Sequence, residues 1–225
     1  MGHGERMLHK VKKIIFKSTD GLALTGEINR AKGPISGTAV LAHPHPLYGG
    51  NMYNNVISTL WNHLPVKGFL TFRFNFRGVG TSEGNFEEGI GETRDLNGAL
   101  QFLKDSGYIH LPCFLIGYSF GAYVICRLDT LHTSIKGTFM ISPPVSMVEF
   151  DLTRLGACPC LIAAGNHDPF CRLGDLKKIS DSSQGNTTLT IIPDADHFWI
   201  GREMRLVEKF LDWAEPLLKK SSEST

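Results

Sequence analysis

The chain reads as a doubly wound α/β protein, a mostly parallel eight-stranded sheet entered through an antiparallel hairpin. Two observations predict this. From Thr38 onward, short apolar runs alternate with longer helical patterns, and the runs are apolar throughout rather than at every second position. Strands of a parallel sheet covered on both faces require that composition. Ahead of them, Lys10–Phe16 and Leu22–Asn29 flank a Thr-Asp-Gly stretch, whose Asp20-Gly21 step supplies a hairpin turn.

The remaining elements follow in order. Thr38–Ala42 reads as a strand, Asn54–Val66 as a helix and Phe69–Phe74 as a strand. Gly89–Lys104 reads as a helix with a capping-like Glu92/Asp95 start, then Cys113–Gly117 as a strand and Phe120–Leu131 as a helix. Strands at Gly137–Ile141 and Cys160–Ala164, a helix at Leu173–Ser180, a strand at Leu189–Ile192 and a helix at Gly201–Leu218 complete the series. No linker or repeat divides it, so residues 1–225 are expected to form one domain, with 1–7 and 219–225 as loose ends. Fewer than about 20 residues separate the Ile141 and Cys160 strands, too few for an inserted cap domain.

The 225 residues are 42% hydrophobic and 20% charged, with formal net charge +1. That balance is of an ordinary globular protein and gives no long-range attraction for nucleic acid or anionic lipid. Five cysteines form an odd set without scaffold spacing, and no N-terminal stretch has the build of a secretory signal. A cytoplasmic location and no membrane span are expected. Oligomeric state is not readable.

Gly117-Tyr-Ser119-Phe-Gly121 has the G-x-S-x-G form and stands between the apolar run Phe114-Leu-Ile116 and the helical run after Ala122. A sharp strand-to-helix turn that exposes a nucleophilic serine needs glycines on both sides, because neighbouring side chains have no room there. The amide of Phe120, in the first helical turn, would then point at a developing oxyanion. A serine hydroxyl needs a base. His197 is the candidate, because Pro193-Asp-Ala-Asp-His197-Phe-Trp follows the last strand and opens at the carboxyl end of the sheet. The orienting acid is sought between Ser119 and His197, where Glu149, Asp151, Asp168, Asp175 and Asp181 compete. Only Asp168 directly follows an apolar strand. Asp194 and Asp196 are expected to cap the loop or the next helix.

The strand Thr38–Ala42 ends in His43-Pro-His45-Pro-Leu47-Tyr-Gly-Gly50, a loop fixed by prolines and glycines that can aim an amide at the same site. Pro46 has no N–H, so the second oxyanion donor is the amide of His45 or of Leu47. His43-x-His45 also fits a metal pair, but no acidic or cysteine partner accompanies it at a recognisable spacing; loop buttressing explains it more simply, and no metal is expected. Gly78-Val-Gly80 fails to complete G-x-G-x-x-G because position 83 is glutamate, so no cofactor is expected. Arg77 is a candidate for holding a substrate carboxylate or phosphate, or for a salt bridge to Glu83 or Asp95. Tyr48, Phe76, Phe86, Tyr118, Phe170, Phe198 and Trp199 are candidate apolar walls of an open cleft. Of these, Tyr48, Tyr118, Phe170 and Phe198, with Arg77, are the expected substrate contacts.

Four motifs in this order, the His-Pro-His-Pro-x-x-Gly-Gly loop, Arg73-Phe-Asn-Phe-Arg-Gly-Val-Gly-x-Ser-Glu-Gly84, Gly117-Tyr-Ser-Phe-Gly-Ala-Tyr123 and Ala195-Asp-His-Phe198, resemble the small bacterial-type α/β-hydrolases without a lid. The resemblance runs from about Val11 to Leu218 and implies an α/β-hydrolase fold with Ser119, Asp168 and His197 at the triad positions. The resemblance says little about substrate; the Ser-His-Asp set points to a small-molecule acyl substrate, a carboxylic ester or thioester, and the short Ile141–Cys160 interval, with no room for a lid, to small or accessible acyl groups. Acyl transfer to another acceptor, cleavage of a short peptide, or a non-catalytic binding role on the same fold are the alternatives. A dehalogenase would carry a carboxylate at position 119, and a dienelactone-type enzyme a cysteine.

Overall fold

The computed structural model describes residues 10–30, 33–108, 111–129, 131, 134–183 and 185–222. Strands β1 (Lys10–Lys17) and β2 (Ala23–Arg30) form the antiparallel hairpin, turned by Asp20 and Gly21. There follow β3 (Gly37–Ala42), α1 (Asn55–His63), β4 (Phe69–Phe74), α2 (Ile90–Asp105), β5 (Cys113–Tyr118) and α3 (Phe120–Cys126). The chain closes with β6 (Ile135–Ile141), β7 (Cys160–Gly165), α4 (Leu173–Ser182), β8 (Thr187–Ile192) and α5 (Glu203–Ser222).

The sheet has eight strands in the order β1-β2-β4-β3-β5-β6-β7-β8, with β2 antiparallel to both neighbours and β3 to β8 parallel. From β3 the chain crosses to β4 on one side and later returns to β5 on the other. The loops leaving β3 and β5 therefore diverge at adjacent strand ends, the place where open α/β sheets form clefts.

Strands β3, β4, β5 and β7 are buried along their whole length, as their largely apolar sequences demand. Successive side chains feed opposite layers. Cys113 and Leu115 of β5 join a core with Leu96, Ala99 and Leu103 of α2, Val124 of α3 and Leu176 of α4. Phe114, Ile116 and Tyr118 join Val56, Ile57 and Leu60 of α1 and Leu206 and Phe210 of α5 on the other face. The 142–159 stretch between β6 and β7 holds a single 3-10 turn, Thr153–Leu155, and no lid covers the strand ends.

Three helix ends depart from the sequence reading by more than two residues. The first helix stops before Pro65, which cannot donate the amide that a continuing helix needs; a 3-10 turn, Pro65–Lys67, replaces its expected end. Helix α3 ends at Cys126 because the Arg127 and Leu128 amides reach back only three residues, which keeps Leu128 in the core. Residues 219–222, expected loose, continue α5 beyond Pro216, while 1–7 and 223–225 lie outside the described residues. Among the described residues no helix is long and apolar enough to cross a membrane.

Arg77 corrects the expectation of a substrate contact. Its side chain is wholly buried. Nε and Nη2 donate to Asp95 Oδ1 at 3.0 and 2.8 Å, Nη2 reaches both Asp20 oxygens at 3.0 Å, and Nη1 pairs with Glu87 Oε1 at 2.5 Å. Burial opposes the charge, but hydrogen bonds and Coulombic attraction from Asp95, followed by Glu87 and Asp20, hold the guanidinium above its usual pKa. The residue pins the hairpin turn and α2 to the loop after β4. Of its two expected salt-bridge partners Asp95 is used, whereas Glu83 accepts from the Ala23 amide at 2.6 Å. Arg77→Leu leaves Asp95 buried and unpaired, and urea denaturation is expected to show a loss of about 3–5 kcal/mol.

Candidate active site

Ser119 stands between β5 and α3 with φ 53° and ψ −111°, a conformation that side-chain-bearing residues rarely adopt. The surrounding chain enforces it. The Ser119 amide donates to Ile141 O at 2.8 Å, and its carbonyl accepts from the Ala122 amide at 3.0 Å. Helix α3 presses so closely on β3 that a methyl group at Gly121 would lie 2.2 Å from Ala42 O. This steric limit explains the second glycine of the motif.

The loops after β7 and β8 bring the other two side chains to Ser119. Asn166 and His167 donate backbone amides to Ile192 O and Ala195 O at 3.2 and 3.0 Å, and Asn166 Oδ1 accepts from the Asp194 amide at 2.8 Å. Gly165 permits this contact, since a Cβ there would meet Ala195 O at 2.1 Å. Asp168 and His197 thereby meet. His197 Nδ1 lies 3.0 and 2.9 Å from the two Asp168 oxygens, and Nε2 lies 3.1 Å from Ser119 Oγ. A carboxylate accepts only, so Nδ1 carries a proton and Nε2 turns its lone pair to the serine. Asp168 is itself oriented, since Oδ1 accepts the amides of Phe170 and Cys171 at 2.9 and 3.1 Å. Asp196 Oδ1 accepts the Phe198 and Trp199 amides at 2.9 and 3.1 Å, the loop-capping role expected of it.

The base loop is clamped from beneath. Tyr118 donates to His197 O at 2.6 Å, Asn55 Nδ2 to Phe198 O at 2.9 Å, and Trp199 Nε1 to Ser142 Oγ at 3.0 Å. Tyr118 is therefore a correction: it is buried, its phenol pushed up in pKa first by burial and then by the Asp168 charge, and it faces the loop rather than a substrate. Phe76 and Trp199, expected on the cleft wall, are core residues. Tyr48 and Phe198 are exposed, and Phe86 and Phe170 half-buried, with the Phe170 ring edge-on to His197 at 4.9 Å. Asn55, Ser142 and Asn166 had no sequence signal beyond their polar character.

On the other side of Ser119, His43 buttresses the loop. Its Nε2 accepts the Phe76 amide at 3.1 Å, so Nδ1 carries the proton that meets Pro44 O at 2.7 Å. Both nitrogens are used, and burial drives the ring's pKa down to about 4. The Leu47 amide donates to His45 Nδ1 at 3.2 Å. Among the described residues, the amides of His45 and Phe120 donate to no protein acceptor. Arg77, packed in its carboxylates, takes no part in the cleft.

Residues 40–156 match the family described as serine aminopeptidase, S33. The chain belongs to this family of α/β serine hydrolases. The match takes in Ser119 and the His43–Gly50 loop but ends before Asp168 and His197, which the tertiary contacts supply. An uncharacterised protein of Rickettsia prowazekii is 33% identical over 195 residues, 83% of this chain and 82% of that relative. A solved α/β serine hydrolase homologue from Coxiella burnetii is 31% identical with a TM-score of 0.77, covering 93% of this chain and 96% of its own. A lidless α/β serine hydrolase from Xanthomonas campestris is 25% identical with a TM-score of 0.81, covering 92% and 94%.

The buried, neutral His43 makes a pH-dependent contribution to stability of definite sign. Between its unfolded pKa of 6.5 and its folded value of about 4, the unfolded chain takes up a proton that the native state refuses. Stability is therefore lost as pH falls through that window, by about 3 kcal/mol in all. The difference in unfolding free energy between wild type and His43→Asn is expected to shrink by that amount from pH 7 to pH 4. A constant difference would contradict a neutral buried imidazole.

Proposed function

We propose that this serine hydrolase cleaves carboxylic esters or thioesters through an acyl-enzyme formed on Ser119. The observation that carries the reading is the unbroken line from Ser119 Oγ to His197 Nε2 at 3.1 Å and from His197 Nδ1 to Asp168 at 2.9 Å.

In this reading His197 takes the serine proton as Oγ attacks the acyl carbon, and Asp168 holds the imidazole in the required tautomer and stabilises the imidazolium. Negative charge gathers on the former carbonyl oxygen. The amides of Phe120 and His45 are proposed to receive it; the Leu47 amide is engaged by the His45 ring, which favours His45 of the two expected donors. His197 then returns the proton to the departing alcohol or thiol, and activates a water that releases the acid. Tyr48, Phe170 and Phe198 are proposed as substrate contacts, since their rings flank the array and remain open or half-open. An uncovered cleft suits small or accessible acyl groups better than long buried chains.

A second reading, cleavage of an amino-terminal residue, rests on the description of the matched family. A panel of aryl esters, thioesters and aminoacyl arylamides separates the two. A fluorophosphonate probe is expected to label Ser119, and Ser119→Ala to abolish labelling and lower ester turnover by about 10⁴-fold or more. Full activity in that variant would refute the proposal. Tyr118→Phe removes only the bond to His197 O, and is expected to cut kcat about fivefold to tenfold with KM unchanged. Steady-state kinetics distinguish this from a loss in KM, which would place Tyr118 against the substrate.

A further inference from the structure

The His45 side chain carries a donor that neither the fold nor the proposed oxyanion hole uses. Its Nδ1 accepts the Leu47 amide at 3.2 Å, so in the neutral ring the proton sits on Nε2. Burial holds the pKa of this imidazole below its usual value, against the opposing pull of Glu92, which keeps the ring neutral at physiological pH. Capping the Leu47 amide needs only Nδ1. The Nε2–H donates to no protein acceptor among the described residues, and it is not among the sealed, unsatisfied polar atoms. It therefore opens to the surface on a half-buried ring.

The surroundings make an open N–H conspicuous. The His45 ring packs against Tyr48, Phe86 and Phe120 at 4.7, 4.8 and 5.0 Å between centroids. Three aromatic rings shield the imidazole and offer poor acceptors, so a donor among them is satisfied only by water or by a ligand. Phe120, against which the His45 ring packs, directly follows Ser119 in the chain. The His45 ring lies on the β3 side, and His197 arrives from β8 on the other. The leaving group must lie on the His197 side to receive its proton. The acyl group is left to the His45 side.

We infer that His45 is a specificity-determining residue whose Nε2–H binds an oxygen of the acyl group close to the scissile carbonyl, selecting acyl groups that bear a hydroxyl, ether or keto oxygen there. The inference rests on the acyl-enzyme reading above. Tyr48 and Phe86 supply the apolar walls, and the imidazole supplies the one directional contact. An acyl chain of equal shape without the oxygen would displace water from Nε2 and leave the donor unpaired.

Two aryl esters of nearly equal shape test this, 4-nitrophenyl methoxyacetate and 4-nitrophenyl butyrate. Their ratio of kcat/KM in wild type, divided by the same ratio in His45→Phe, cancels the greater intrinsic reactivity of the methoxyacetate. A factor of about ten is expected, with the ratio largely restored in His45→Gln, which keeps a donor near Nε2. A factor within about twofold of unity would overturn the inference and reduce the ring to a loop cap, while leaving the serine hydrolase reading intact. Absence of turnover of both esters in wild type, with no fluorophosphonate labelling, would instead remove the underlying reading and the inference with it. A second measurement does not depend on an active His45 variant. In Ser119→Ala protein with ¹⁵N-labelled imidazoles, methoxyacetate ester is expected to shift the His45 Nε2 resonance and butyrate ester to leave it nearly unmoved. Equal shifts, or none, would also overturn it.

Discussion

The turn at Ser119 is the constraint on which the site is built. Holding a non-glycine residue at φ 53° and ψ −111° costs on the order of 1–3 kcal/mol, and the cost is offset only because the core on both sides of the sheet leaves the chain no alternative. Strand β5 is sealed between the two helical layers, the Ser119 amide is drawn to Ile141 O, and α3 abuts β3 at the Gly121–Ala42 contact. The hydroxyl is thereby lifted above the strand ends while the amide of Phe120 remains free at the first turn of the helix. The proposed nucleophile and the proposed oxyanion donor are set by one piece of backbone.

His197 and Asp168 reach this serine by a different device. Loops are adaptable, and a histidine on a loop would lose part of its orientation unless its carbonyls and neighbours were tied. Here the ties are numerous, and those of Tyr118 and Trp199 are buried. The acid loop is laced to the base loop through Asn166 and His167, and Tyr118, Ser142 and Asn55 hold the backbone and ring that flank His197. Ser142 and Trp199 both have positive φ, 45° and 63°, and they meet in the indole–hydroxyl bond. The strain is thus concentrated at the carboxyl edge of the sheet, where Ser119 also lies, in keeping with the tendency of functional sites to store it.

Charge plays a supporting part. Arg77 with Asp95 and Arg73 with Glu27 are internal pairs, and Asp20 and Glu87 complete the Arg77 set from nearer the surface; together they tie the hairpin to the parallel body of the sheet. Arg73 is further sandwiched between Tyr53 and Trp61, with its guanidinium carbon 4.6 and 4.2 Å from the ring centroids. Neither arginine faces the cleft. In the proposed reading, recognition falls to aromatic surface and neutral donors, which suits an uncharged acyl substrate better than an anionic one.

Much of the site was legible in the chain because its chemistry is written in short segments at the ends of strands. Gly117–Gly121 announces its own turn, His197 follows the last strand, and Asp168 is the one acid directly behind an apolar run, so local pattern and the order of elements sufficed for those three. The parallel sheet was legible for the same reason, since burial on both faces leaves an apolar signature that does not depend on which strands are neighbours. Arg77, Tyr118, Phe76 and Trp199 were not legible as core. Whether such a side chain turns inward depends on the strand order and on partners up to 79 positions away, as for Tyr118 and His197. The preference proposed for the His45 amide over that of Leu47 likewise rests on the position of one imidazole nitrogen. Sequence by itself determined which residues have the chemistry and at which strand ends they emerge. Only the tertiary structure decided which of them face solvent and which are spent holding the others, because burial and hydrogen-bond pairing are properties of the packed sheet and not of any segment within it.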